Sequence, residues 1–313
     1  MKRKVKIGTR GSRLALWQAE FVKNALTQLS PEIEFEIVTI KTTGDRILDT
    51  ALSKIGDKGL FTREIENALL DDEIDLAVHS LKDLPTTQPE GLAIGAVTKR
   101  EIPNDVLISN EAGSIVELPR NARVATGSLR RQSQLRHLRP DVEVVEMRGN
   151  VPTRIEKFLA SDLDAMILAY AGIHRLGLNE HIRQIIPVSE MIPAVGQGVV
   201  AVESRTDDDG VIKLIEGINE VDTHVCIMAE RAFLRVLEGG CQVPIGAHAA
   251  CTDDGIYLQG FVGSLDGSRV IRKSIDGGRE DAEKLGSDLA DKCLSLGASE
   301  ILNAARIASS EAA

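Results

Sequence analysis

The chain has 313 residues, more than one hydrophobic core ordinarily serves, so two or three domains are expected. Hydrophobic residues make up 43% and charged residues 27%, the balance of a folded globular chain, and the formal net charge is −10. That field repels polyanions, and 3% aromatic residues are too few for a base-stacking surface, so nucleic acid is not an expected partner. No apolar run follows the basic start, and none anywhere is long enough to span a bilayer, so neither a secretory signal nor a membrane anchor is expected. Cys226, Cys241, Cys251 and Cys293 show no C-x-x-C spacing, which fits a reducing cytoplasm without a disulfide framework.

Strand and helix patterns alternate from the start. Val5–Thr9 reads as a strand, with Ser12 as the N-cap of a helix carrying Leu14, Leu16, Trp17, Phe21 and Val22. Phe35–Ile40 is the next strand. Thr62 caps a helix with Ile65, Leu69 and Leu70, and Asp75–His79 is again a strand. The order then recurs: Val124–Thr126 leads to Gly127-Ser128 and a helix through Leu135 and Leu138. Val142–Met147 follows, Thr153-Arg154 opens a helix, and Asp164–Leu168 is a strand. Such alternation implies largely parallel sheets covered by helices. A true duplication predicts two similar α/β lobes facing a cleft, with ligands beyond the carboxyl ends of the strands; common α/β punctuation would give the same pattern. From about Val221 the pattern changes. A helix over Asp222–Glu238 turns Val225, Met228, Ala229, Ala232, Phe233 and Leu237 inward. Strands follow at Val243–Cys251, Ile256–Val262 and Val270–Ile275, separated by Asp254-Gly255 and Asp266-Gly267 turns. A helix over Glu280–Leu296 and a shorter one after Gly297 complete a small α+β domain.

Three places carry potential chemistry. Residues 128–154 hold six arginines and three acids, a net +3 inside an acidic protein, and arginine is the residue for bidentate recognition of carboxylate or phosphate. Arg130, Arg131 and Arg148 follow strand or turn ends and favour ligand binding, whereas Arg136 and Arg139 read as a solvated helix face. Lys82 and Asp83 follow a strand, where a carboxylate can stabilise a cation and move protons; an ordinary turn before Pro85 is the plainer alternative. Cys241, after Gly239-Gly240 in a loop, reads as a nucleophile or attachment point. A zinc site from His224, Cys226, Cys241, His248 and Cys251 fits no usual spacing. No G-x-G-x-x-G or P-loop supports nucleotide binding.

The motifs Thr9-Arg-Gly-Ser-Arg-Leu-Ala-Leu-Trp-Gln-Ala19, Lys58-Gly-Leu-Phe61, His79-Ser-Leu-Lys-Asp-Leu-Pro85, Gly127-Ser-Leu-Arg-Arg-Gln132, Arg148-Gly-Asn150, Ile192-Pro-Ala-Val-Gly-Gln-Gly198 and Leu237-Glu-Gly-Gly-Cys-Gln-Val-Pro-Ile-Gly246 resemble, in order and nearly end to end, the porphobilinogen deaminase family. The resemblance implies two lobes like those of type II periplasmic binding proteins, plus a C-terminal α+β domain. The expected domains are residues 1–98 with 199–217, residues 104–193, and residues 221–313, with crossings near Lys99–Asn104 and Pro193–Val199. It implies a cytoplasmic, monomeric transferase without metal. Four porphobilinogen molecules are joined onto a dipyrromethane primer, held by thioether to Cys241, giving hydroxymethylbilane and ammonia. Asp83 matches the catalytic aspartate, which would assist loss of ammonia and stabilise the resulting azafulvene cation. Arg10, Ser12, Lys82, Ser128, Arg130, Arg131, Arg148, Arg154 and Arg175 match the set that binds the acetate and propionate groups, with Thr126 and Gln197 as additions. Lys58 and Phe61 fall in or beside a family loop that can cover the cleft, where Phe61 either stacks on a pyrrole or packs. A solute-binding protein and a ligand-sensing regulator are the rival classes. The basic but unled N-terminus and the Gly-Gly-Cys loop argue against the first, and the lack of a DNA-binding helix pair against the second.

Overall fold

A computed structural model describes residues 4–46, 59–238 and 243–311; Lys58 and Cys241 lie outside the described residues. In chain order the first stretch runs β1 (Lys4–Thr9), α1 (Arg13–Leu29), β2 (Glu34–Thr39), α2 (Thr43–Arg46), α3 (Arg63–Leu70), β3 (Leu76–Ser80) and β4 (Leu92–Val97). Then come β5 (Asp105–Ser109), β6 (Arg123–Ala125), α4 (Leu129–Leu138), β7 (Glu143–Val145), α5 (Val151–Leu159), β8 (Ala165–Ala169), α6 (Tyr170–Arg175) and β9 (Gln184–Ile185). β10 (Val200–Arg205) and α7 (Asp209–Glu216) follow. The chain finishes with α8 (Val221–Val236), β11 (Ile245–Thr252), β12 (Gly255–Gly263), β13 (Val270–Gly277), α9 (Ala282–Ser295) and α10 (Ala298–Glu311).

Two compact units result. Among the described residues, one draws on 4–46, 59–101 and 198–224, the other on 102–197, 225–238 and 243–311. The first holds a five-stranded sheet in the order β2-β1-β3-β10-β4, the second a five-stranded sheet in the order β7-β6-β8-β5-β9 and a three-stranded sheet β11-β12-β13. Both large sheets are built alike. Three parallel strands sit beside one antiparallel strand that is remote in sequence, β10 against β3 and β5 against β8. The repeated order read in the sequence is thus matched by a repeated topology, and the α/β class with a small α+β element is as expected.

Each large sheet is buried on both faces. In the first unit, Val5, Ile7, Val78, Val200 and Val202 meet Ala19, Val22 and Leu26 of α1 and Val211 and Ile215 of α7. Ile65 and Leu69 of α3 cover the other face with Ala77 and Leu92. Such two-sided burial is what lets a parallel sheet carry near-continuous apolar strands. The α1 stripe holds one polar residue, Gln18, while Trp17 and Phe21 stack on each other, centroids 5.4 Å apart, on the outer face. In the second unit, Phe233 of α8 and Leu285 and Leu289 of α9 pack on the three-stranded sheet.

Several local expectations change. Asn150 caps α5, its side chain accepting from Thr153 N at 3.0 Å, and Pro152 is accommodated in the first turn, so the helix begins before Thr153-Arg154. Met228 is exposed rather than inward. The last helix is as long as α9, both spanning 14 residues. Gly267 sits at φ 73°, as its turn requires.

Candidate active site

In the first unit, the expected residues sit just past the carboxyl ends of β1 and β3. Ser12 ends the turn after β1, and its hydroxyl accepts from Ala15 N at 3.2 Å as the α1 cap. Lys82 and Asp83 lie in a single 3-10 turn, Leu81–Asp83, pinned where Leu81 N donates to Val199 O at 3.0 Å. Arg10, Ser12, Phe61 and Asp83 line one cavity of about 70 Å³, joined by Gln18, Thr62, His79 and Ser80. Gln18 Nε2 donates to Ser80 Oγ at 2.9 Å, tying α1 to the end of β3. Behind them, His79 Nε2 lies 3.2 Å from Glu203 Oε2, both side chains buried and not aligned as a hydrogen bond.

Phe61 lies in this cavity. Its ring centre is 4.0 Å from the Arg10 guanidinium carbon, a cation–π distance, and the ring also sits against Gly44, where a Cβ would fall 2.2 Å from a ring atom. A side chain at 44 would therefore displace the ring. Arg10 also donates from Nη2 and Nε to Asp45, at 2.5 and 3.2 Å.

In the second unit, the carboxyl end of β6 carries Thr126 and Ser128, and Ser128 caps α4. Arg130 and Arg131, in the first turn of α4, converge on Asp105, the fully buried first residue of β5. Arg130 Nη1 donates to Asp105 Oδ2 and to Ile192 O, each at 2.7 Å. Arg131 donates from Nε (3.0 Å) and Nη2 (2.7 Å) to Asp105 Oδ1, and Gln197 Nε2 reaches the same oxygen at 2.9 Å and Pro103 O at 2.6 Å. Arg148 follows β7, Arg154 lies on α5, and Arg175 ends α6. Arg136 and Arg139 are not a solvated face. Arg136 donates to Leu265 O at 2.8 Å, while Arg139 pairs with Asp141 and donates to the carbonyls of Ile115, Leu118 and Pro119.

Asp105 is the residue the sequence did not disclose. Its one available signal is an acid opening the apolar run Val106-Leu-Ile108. Burial alone would push its carboxyl up, but the Arg130 and Arg131 guanidiniums outweigh this and hold it well below the usual carboxylate range. Burial in turn lowers Arg130. A depressed folded pKa contributes stability above the ordinary carboxylate value of about 3.9, and that contribution fades as pH falls from there through the lower folded value. Asp105→Asn should therefore cost about 3–5 kcal/mol at neutral pH, because it leaves two buried guanidiniums without their anion. The loss relative to wild type should narrow as pH falls below about 3.9, where the unfolded chain takes up a proton that the folded carboxylate resists. Urea unfolding followed by tryptophan-independent circular dichroism at several pH values checks both; equal stability of the two proteins at pH 7 would refute the assignment.

Two sheets alike in topology, each with guanidiniums, hydroxyls and a carboxylate at its strand ends, define an α/β protein. Residues 5–213 match the family model "Porphobilinogen deaminase, dipyromethane cofactor binding domain", and residues 224–295 match "Porphobilinogen deaminase, C-terminal domain". A porphobilinogen deaminase of Chloroherpeton thalassium is 53% identical over 306 residues, covering 96% of this chain and 98% of that one. One from Carboxydothermus hydrogenoformans is 51% identical over 306 residues, covering 98% of each. The chain belongs to the porphobilinogen deaminase family. Among solved structures, a periplasmic substrate-binding protein of an ABC transporter from Coxiella burnetii is similar over 68% of this chain and 91% of its own, at 13% identity and a TM-score of 0.44. No helix among the described residues is long and apolar enough to cross a membrane.

Proposed function

We propose that the chain performs its family's reaction, joining porphobilinogen head to tail into hydroxymethylbilane with release of ammonia, and that Asp83 is the carboxylate at which the chemistry occurs. The observation that carries this reading is that Asp83 shares one cavity with Arg10 and Ser12. A guanidinium and a carboxylate so placed suit a substrate with acidic side groups at one end and an aminomethyl group at the other. Arg10 binds a ring carboxylate and Ser12 supports the turn that presents it. Asp83 opposes the positive charge that develops on carbon as ammonia departs, then takes up the proton released when the new carbon–carbon bond forms.

The residues of the second unit fit a primer that carries carboxylates. Arg130 Nε and Arg148 Nη1 are buried and have no hydrogen-bond partner among the described residues. Two guanidiniums against one Asp105 carboxylate leave that cluster a positive charge in excess, which an anionic group would balance. When bound, the dipyrromethane supplies the pyrrole carbon that attacks the incoming unit. We assign its attachment to Cys241, within a C-terminal segment of residues 221–313. Its carboxylates are assigned to Arg130, Arg131, Arg148, Arg154 and Arg175, with Thr126 and Ser128 alongside; Gln197 acts through Asp105, and Lys82 of the first unit is assigned to substrate binding by its motif. By family resemblance the chain is assigned as a monomer working in the cytoplasm.

Porphobilinogen supplied to the purified protein should disappear, followed with Ehrlich's reagent, while ammonia appears one for one. Substrate that is bound yet not consumed would leave a binding protein in place of an enzyme.

A further inference from the structure

Arg10 supplies the guanidinium among the described residues that line the Asp83 cavity, and it is already engaged within the protein. Its Nε and Nη2, the fork that grips a carboxylate side-on, both donate to Asp45. Phe61 lies against the guanidinium, its ring centre 4.0 Å from the guanidinium carbon. Asp45 is itself held: Thr42 Oγ1 donates to its Oδ2 at 2.8 Å, and the neighbouring Gly44 N donates to Leu60 O at 2.8 Å. Thr43 adds two donations to Glu64 Oε1, from N at 2.8 Å and from Oγ1 at 2.5 Å, so α2 is stitched to the start of α3. Burial works against the Asp45 carboxylate, yet Arg10 and Thr42 hold it below the usual range, so it is an anion across the neutral region.

We propose that Asp45 is an affinity-setting residue, an internal carboxylate that competes with the carboxylates of porphobilinogen for the Arg10 fork. Resting on the reading of Arg10 as a substrate-carboxylate binder, this makes binding an exchange of one anion for another. The gain from a new charge-assisted pair is offset by the one given up. An enzyme that must take up one substrate after another at a single catalytic carboxylate benefits from such shallow binding, because ground-state grip that persists in the transition state adds nothing to turnover. Both Arg10 and Asp45 are about a quarter exposed, at 23% and 27% of side-chain area, so solvent screens the pair and exchange is accessible.

Asp45→Asn keeps the shape and removes the competing charge. In primer-loaded enzyme it should lower KM for porphobilinogen by about three- to tenfold without raising kcat. The Thr42, Thr43 and Gly44 bonds leave the local fold tethered, and circular dichroism with a matched melting curve verifies it. In an Arg10→Leu background, Asp45→Asn should leave KM where Arg10→Leu alone puts it, because the competition requires the guanidinium; a packing role for Asp45 would persist in that background. A KM that is unchanged or raised by Asp45→Asn, with Arg10→Leu raising KM, refutes the competition and leaves the reading of Arg10 intact. An Arg10→Leu protein with wild-type KM removes both.

Discussion

Asp83→Asn, reconstituted with preformed primer, should condense its first porphobilinogen at least roughly a hundredfold more slowly than wild type. The substitution keeps size and hydrogen-bonding reach and removes one negative charge from a turn held by Leu81 N on Val199 O. Charge appears on the substrate only as ammonia leaves, so the help of an anion is concentrated in the transition state and its loss falls on kcat rather than on KM. Asp83→Glu retains the charge, displaced by one methylene, and should keep measurable activity. A single-turnover assay on protein whose primer content has been verified by mass separates this from failed assembly. A wild-type first condensation in Asp83→Asn would remove Asp83 from the chemistry, whatever the family.

Cys241→Ser should abolish turnover altogether. A serine oxygen is a far weaker nucleophile than a thiolate, so no covalent primer forms and there is nothing to elongate. The intact mass of wild type should exceed that of its chain by two pyrrole units, and the variant should show the bare chain. Ehrlich's reagent should colour the first and not the second. Cys293 offers little substitute: it is buried, and burial pushes its thiol up to about 11. A fully active wild type of unmodified mass would overturn the assignment of the attachment point.

What the sequence disclosed depended on how local the signal was. Ser12 and Ser128 are caps, and each is fixed by its own few neighbours, so both were legible from a hydroxyl ahead of an apolar period. Strand ends as the place for Lys82, Asp83, Thr126 and Arg148 followed from the alternation of β and α. The partners of the arginines did not. Asp105 stands 25 residues from Arg130, and Asp45 stands 35 from Arg10, and nothing in a linear reading joins them. The arginine-rich segment was read as one ligand-facing group with a solvated remainder. The structure pairs Arg130 and Arg131 with an internal acid as well, and it corrects the solvated remainder: Arg136 and Arg139 are committed to backbone carbonyls. Strand β5 carries no periodicity of its own because it is buried on both faces, and an apolar run without alternation is ambiguous until its neighbours are known.

The place of β10 has a consequence for how the protein comes into being on the ribosome. This strand lies between β3 and β4, with Ser80 opposite Val200 and Val97 opposite Ala201, so the two halves of the first sheet are not hydrogen-bonded to each other without it. The nascent chain must make β1 to β4, then the whole of residues 102–197, before the bridging strand emerges. The second large sheet takes all five of its strands from β5 to β9 and can close first. Until then β3 and β4 present unpaired edges, a long-range closure that is slow and exposed to wrong partners. The N-terminal sequence is thus synthesised first and finished late, and a nascent chain arrested before Val200 should hold a completed second sheet beside a first one still awaiting its middle.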